Sequence, residues 1–315
     1  MRRVARPLAT AGVFVLASAL LSGCATPQVS ALIERAPASL PPRAELTETP
    51  FFAQEQYQCG PAALATALTH AGTATTPEAL KSEVYVPARE GSLQPEMLAT
   101  TRRKGYVAYR IAPKLEALLR EVASGTPVIV LQNNSLPIAP LWHYAVVIGY
   151  DLPNQEIVLR SGVTERLAMS MSTFERTWAR SGYWAMVAVP PQRVPETADP
   201  ESFVGAVLAL ERVSETGGRQ GYASALARWP DHLLARIALG NAEYRTGDLR
   251  AAEAAFREAA RRHPESADAW NNLAQTLLEL GRRQDAFEAA QRAVHLGGPR
   301  LAQYRATLQA IATTR

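Results

Sequence analysis

Four kinds of apolar pattern follow one another along the 315 residues. Leu8 to Leu21 is a nearly continuous apolar run behind Arg2, Arg3 and Arg6, too short to span a bilayer, and residues 1–23 read as an export signal. Residues 24–48 ("CATPQVSALIERAPASLPPRAELTE") are rich in Pro, Ala and Ser without a sustained period and predict a tether. Helical spacing then predicts helices over 61–71, 92–105 and 114–124, with a short strand at 106–111. Residues 127–133 ("PVIVLQN"), 143–150 ("HYAVVIGY"), 156–162 ("EIVLRSG") and 183–190 ("YWAMVAVP") carry the β-branched and aromatic content of strands. Helices first and antiparallel strands afterwards predict an α+β domain over 49–191. Residues 192–202, rich in Pro and acid, predict a linker, and 203–315 is helical throughout.

The helical part repeats. Pro230 and Pro264, Leu239 and Leu273, Gly247 and Gly281, and Ala252 and Ala286 each stand 34 residues apart. With Gly240, Phe256, Ala259, Trp270, Ala290 and Ala293 this spacing resembles the tetratricopeptide repeat, in which small residues let helices approach and an aromatic fills the gap. A degenerate copy precedes, with Tyr222 at the Phe256 position, and 299–312 predicts a closing, solvated helix. The resemblance implies a stacked array whose concave surface docks a protein partner or substrate.

Composition narrows the function classes. Apolar residues at 47% and charged residues at 20% describe a globular chain. The formal charge of +4 owes three charges to Arg2, Arg3 and Arg6, and without them 30 basic side chains face 29 acidic ones. Near neutrality removes the electrostatic footprint of nucleic-acid binding. Leu21-Ser22-Gly23-Cys24 resembles the lipobox of bacterial lipoprotein signals. That resemblance implies cleavage before Cys24, acylation of Cys24 and a membrane anchor in the bacterial cell envelope. Ala25 in place of Asp implies the periplasmic face of the outer membrane. With Cys24 lipidated, Cys59 is the one free thiol, and an unpaired thiol in an oxidising compartment asks for a chemical role.

Cys59 stands in "QEQYQCGPAALATALTHAG", immediately before Gly60-Pro61. Proline suits a first helical turn, so Cys59 is expected at a helix N-terminus, where unpaired N–H groups lower a thiol's pKa. Gly60 is expected to let a substrate backbone approach. Of the five histidines, His70 lies about 16 Å along the same helix, and His232, His263 and His295 read as solvated loop or helix-end residues of the repeats. His143, at a strand start behind Trp142, is left as the base. Trp142, Trp178 and Trp184 could line a cleft, with core packing the better reading for two of the three. His and Cys lack zinc spacing, and neither a phosphate- or dinucleotide-binding glycine pattern nor a GxSxG elbow occurs, so no metal and no cofactor is expected.

The blocks "QEQYQCGPAAL", "PVIVL" and "HYAVVIGYD" together resemble the C39-type bacterial cysteine peptidases of papain-like fold, over about 140 residues. The resemblance implies Cys59 as nucleophile, His143 as base, and a Gln whose amide joins the Cys59 N–H in the oxyanion hole. Gln54 matches, with Gln56 as substitute. Many such domains carry an Asp or Asn after the His strand to orient the imidazole; this chain has Arg160-Ser161-Gly162 there. Ser161 could accept the Nδ1 proton, and Asp151 is the other candidate orienter. Peptide-bond hydrolysis, peptide holding without cleavage, and acyl transfer or deamidation on the same Cys-His pair all remain open.

Overall fold

A computed structural model describes residues 26–54 and 58–313. The chain divides into two compact units: one runs to Leu93 and resumes from Arg110 to Val187, the other joins Gln94–Tyr109 to Ala188 onward. The export signal, Cys24 and Gln56 lie outside the described residues.

In the first unit, helix α1 (Pro27–Glu34) and strand β1 (Arg43–Glu45) come first, then α2 (Cys59–His70), α3 (Pro77–Val84) and the short pair β2 (Tyr85–Val86) and β3 (Gly91–Ser92). The expected tether is therefore ordered from Pro27 onward. The buried Glu175 carboxylate accepts the N–H groups of Gln28 at 3.0 Å and Val29 at 2.8 Å, satisfying donors that an eight-residue helix leaves open at its N-terminus. That cap comes from a residue 147 positions away from Gln28, so local sequence cannot show it.

After α5 (Leu115–Ala123) come β5 (Val128–Asn133), β6 (Trp142–Asp151), β7 (Glu156–Ser161), β8 (Thr164–Ser170), α6 (Met171–Ala179) and β9 (Ala185–Val189). The sheet runs β9-β5-β6-β7-β8 in antiparallel register, Gln132 facing His143 and Val146 facing Arg160, and β1 pairs with the far end of β6. Helix α2 packs on β5, β6 and β7. Residues 145–148 of β6 are almost wholly enclosed, so β6 is apolar on both faces at its centre and polar only at its ends. Sequence patterning missed α3, β8 and α6. β8 ("TERLAMS") is largely exposed, whereas α6 buries Met171, Phe174 and Trp178 at helical spacing, a signal that was present in the sequence. The Trp178 indole donates to the Trp184 carbonyl at 2.9 Å, and both rings are buried.

The second unit holds α4 (Gln94–Arg103), β4 (Val107–Arg110, its last residue in the first unit), and the helices α7 (Pro200–Glu211), α8 (Glu215–Arg228), α9 (Leu233–Arg245), α10 (Leu249–Arg262), α11 (Ala267–Glu279), α12 (Arg283–Leu296) and α13 (Leu301–Thr313). Helix α7 starts inside the expected linker because Asp199 caps it, accepting the Ser202 N–H at 2.9 Å. One helix contact of the first clear repeat has a steric requirement. A Cβ on Gly240 would lie 2.5 Å from the Phe256 ring, so the helix carrying Gly240 can meet α10 only where a side chain is lacking. Ala252, Phe256, Leu273, Ala286 and Ala290 form the continuous core of this stack. The closing helix α13 is not fully solvated, since Tyr304 and Ile311 are buried.

Candidate active site

Helix α2 begins at Cys59, and its flanking residue Gln58 provides no side-chain cap. The first-turn donors therefore remain for the sulfur. The backbone N–H groups of Tyr144, Gly60 and Cys59 itself all favour its anion, but burial outweighs them and pushes the thiol above its ordinary value. This corrects the expectation of a lowered pKa: desolvation of a packed helix start exceeds the stabilisation from its donors. Gly60 does not open space for a substrate either. A Cβ there would sit 2.1 Å from Ser92 Oγ, so the Ser92 side chain fills that space, its hydroxyl buried and without a hydrogen-bond partner among the described residues.

His143 enters near the start of β6, half-buried, and the Cys59 sulfur meets the N–H of the very next residue, Tyr144. The imidazole Nε2 lies 2.9 Å from Ser161 Oγ at the end of β7. Ser161 thus faces Nε2 rather than the expected Nδ1. In the tautomer that donates Nε2–H to Ser161, Nδ1 carries a bare lone pair and is the atom that can take a proton. Burial lowers the imidazole pKa, so the resting pair is thiol and neutral imidazole.

Gln54 is held beside the same strand end. Its backbone N–H donates at 3.0 Å to the carbonyl of Gly162, the residue after Ser161. The approach to Gln54 is anchored by Arg160, which the sequence reading did not assign. From β7 its buried guanidinium donates to the carbonyls of Thr49, Thr47 and Glu165, at 2.7, 3.1 and 2.7 Å. No local signal marks it, because every acceptor except Glu165 lies more than 100 residues away.

Asp151 is not brought to the site. It lies eight residues along β6, about 27 Å away at ~3.4 Å per residue, where it pairs with Arg43 at 2.7 Å and receives two hydrogen bonds from Asn154. His70 is structural: Thr49 Oγ1 and the Gly125 carbonyl occupy its two nitrogens at 3.0 and 3.1 Å. His232 stands at a helix end as expected but is not solvated: it caps α9, accepting the Ala235 N–H at 3.2 Å with its side chain buried. Among the described residues, no three His, Cys, Asp or Glu side chains are grouped as a metal would require. No helix there is long and apolar enough to cross a membrane.

These residues assemble a thiol, an imidazole with an oriented ring, and backbone donors at one end of a sheet. Residues 46–186 match the Peptidase_C39 like family. Residues 237–300 match the tetratricopeptide repeat. No curated protein matches the chain. Among solved structures, a Bacillus anthracis protein described as a C39-like peptidase aligns at 18% identity and TM-score 0.42, over 49% of this chain and 99% of its own. A MamA structure aligns at 15% identity and TM-score 0.34, over 37% of this chain and 68% of that one. MamA from Desulfovibrio magneticus RS-1 aligns at 21% identity and TM-score 0.33, over 36% and 64%.

The helical unit contains a cavity of its own, of about 820 Å³, lined by Trp229, Ile237, Asn241, Asn272 and Arg300 among others. The Asn272 amide donates to Asn241 at 3.2 Å, and Arg300 pairs with Asp268 at 2.9 Å.

Proposed function

We propose that the chain is an exported cysteine peptidase, anchored by lipid on Cys24, that hydrolyses peptide bonds at Cys59. The His143–Ser161 pair beside the strand residue whose N–H meets the Cys59 sulfur is the observation that carries this reading. As the sulfur attacks the scissile carbonyl, its proton passes to Nδ1 of the neutral imidazole. The Cys59 N–H and the Gln54 side-chain amide hold the tetrahedral oxyanion. Its collapse breaks the C–N bond, and the imidazolium returns the proton to the departing amine. Water, deprotonated by the same imidazole, then attacks the thioester and releases the acid and the free thiol. The helical array and its cavity would dock the polypeptide substrate or a partner.

A second reading, a domain that holds peptides without cutting them, draws on the raised thiol pKa and on a hydroxyl standing where a carboxylate would orient the ring. The test is incubation of the full-length chain, in phosphatidylcholine nanodiscs, with a mixed peptide library read by mass spectrometry. Cleavage abolished by Cys59→Ala and by His143→Ala supports the peptidase. A library left intact by wild type but retained by it on a column shifts the assignment to peptide holding.

A further inference from the structure

Nine large apolar side chains are exposed among the described residues, and six of them belong to segments around Cys59 and His143. Leu136, Ile138, Leu141 and Trp142 come from the β5–β6 connection, with Ile138 90% and Trp142 49% exposed. Val163, 80% exposed, forms the two-residue turn between β7 and β8 with Gly162. Leu93 follows Ser92, the residue packed over Gly60. The antiparallel register places the β5–β6 and β7–β8 connections at the same end of the sheet, where His143 meets Ser161. The remaining three, Ile33, Val213 and Leu234, are scattered singly, as on any surface.

The connection is built rather than loose. Asn133 Oδ1 accepts the N–H groups of Ser135 at 3.0 Å and Leu141 at 2.9 Å, and the Asn134 N–H donates to the Leu141 carbonyl at 2.9 Å. Arg180 donates to the carbonyls of Asn133 and Ser135. These bonds close the base of the loop and hold its apolar residues outward. Water-exposed apolar groups held in place cost free energy unless something covers them.

We propose that this rim is the recognition surface of the site and selects peptide segments with bulky uncharged side chains beside the scissile bond. The inference rests on the peptidase reading and names its substrate class. Two observations favour a peptide. The rim is continuous with the reactive pair, and from Pro127 to Tyr150 the chain carries no Asp, Glu, Lys or Arg. A charged substrate residue would find no partner on this segment. Membrane-surface elements, by contrast, flank their apolar face with Lys and Arg, and the nearby Arg180 is engaged by backbone carbonyls.

The test uses the full-length chain in phosphatidylcholine nanodiscs. Library cleavage is compared for wild type, Ile138→Glu, Val163→Glu and Val213→Glu, the last placing the same charge on an unrelated exposed apolar site. Wild type is expected to cut beside Leu, Ile, Val and Phe. Ile138→Glu and Val163→Glu should each lower kcat/KM for those peptides about tenfold or more, chiefly through KM, and raise the relative use of Lys- and Arg-flanked peptides. Val213→Glu should behave as wild type. Binding of a fluorescent apolar peptide to Cys59→Ala, with and without Ile138→Glu, gives a readout that needs no catalysis. If wild type cuts nothing yet Cys59→Ala binds that peptide and Ile138→Glu weakens it about tenfold, the rim stands and the peptidase reading falls. Cleavage without apolar preference and indifferent to both rim variants overturns the rim and leaves the peptidase. Failure of both cleavage and binding overturns the rim as well. Tryptophan quenching by brominated phosphatidylcholine that disappears in Trp142→Phe would place the rim in the bilayer and also overturn it.

Discussion

Ser161 is the side chain through which β7 orients the imidazole, and removing its hydroxyl is the sharpest perturbation of the site. A neutral hydroxyl–imidazole bond at 2.9 Å contributes on the order of 0.5–1.5 kcal/mol. If that energy holds the ring in its reactive rotamer and tautomer, Ser161→Ala should lower kcat by about two- to twelvefold and leave KM nearly unchanged. Ser161→Asp tests the same geometry with the opposite electrostatics. A carboxylate near Nε2 favours the imidazolium and should raise the imidazole pKa by about 1–3 units. In wild type, burial holds that pKa below its ordinary 6.5, and activity needs the neutral ring. Activity therefore falls only as pH drops beneath the ordinary histidine range, whereas in Ser161→Asp the fall should begin at higher pH. Stability follows the same sign. The unfolded imidazole binds its proton below 6.5 while the folded one resists it, so stability is lost as pH falls from 6.5 through the lowered value. The assay is kcat/KM from pH 4 to 9 on one cleaved peptide, with thermal melting to verify folding. An unchanged kcat in Ser161→Ala, or an acid limb in Ser161→Asp that stays put or moves down, would refute the positioning role.

Three further outcomes can be measured. Arg160→Met strips the donors from the Thr47, Thr49 and Glu165 carbonyls; it should cost about 3 kcal/mol or more in chemical denaturation, and a loss under 1 kcal/mol contradicts the anchor. Gly60→Ala drives a methyl group against Ser92 and should slow Cys59 alkylation and lower the melting temperature. Adding Ser92→Gly should restore both, and additive effects in that double-mutant cycle would show that the two sites do not touch. Cys24→Ser should move the chain from the detergent phase to the aqueous phase and abolish labelling by a fatty-acid analogue; unchanged partitioning argues against lipid on that residue.

The helix start at Cys59 is legible because Cys-Gly-Pro writes its own boundary: proline fixes its φ and needs no donor in a first turn. The 34-residue period is legible too. Pro230, Leu239, Gly247 and Ala252 recur as Pro264, Leu273, Gly281 and Ala286, whereas the tight Gly240–Phe256 contact belongs to one repeat, its counterparts 34 residues on being Ala274 and Ala290. Strands β5, β6 and β7 were readable from their β-branched runs, and α6 from Met171, Phe174 and Trp178 at helical spacing, whereas the largely exposed β8 carries too little apolar signal to be found without its partner strand.

Local sequence therefore determined where elements begin, which thiol stands alone and which histidine shares its domain, since these depend on backbone preference and on composition. Tertiary structure decided the chemistry. The burial that raises the Cys59 thiol, the choice of Nε2 over Nδ1 for Ser161, the exclusion of Asp151, the Glu175 cap on α1 and the Arg160 anchor each depend on atoms far apart in sequence. Desolvation and hydrogen-bond geometry act through space, and only the folded chain fixes which groups meet there.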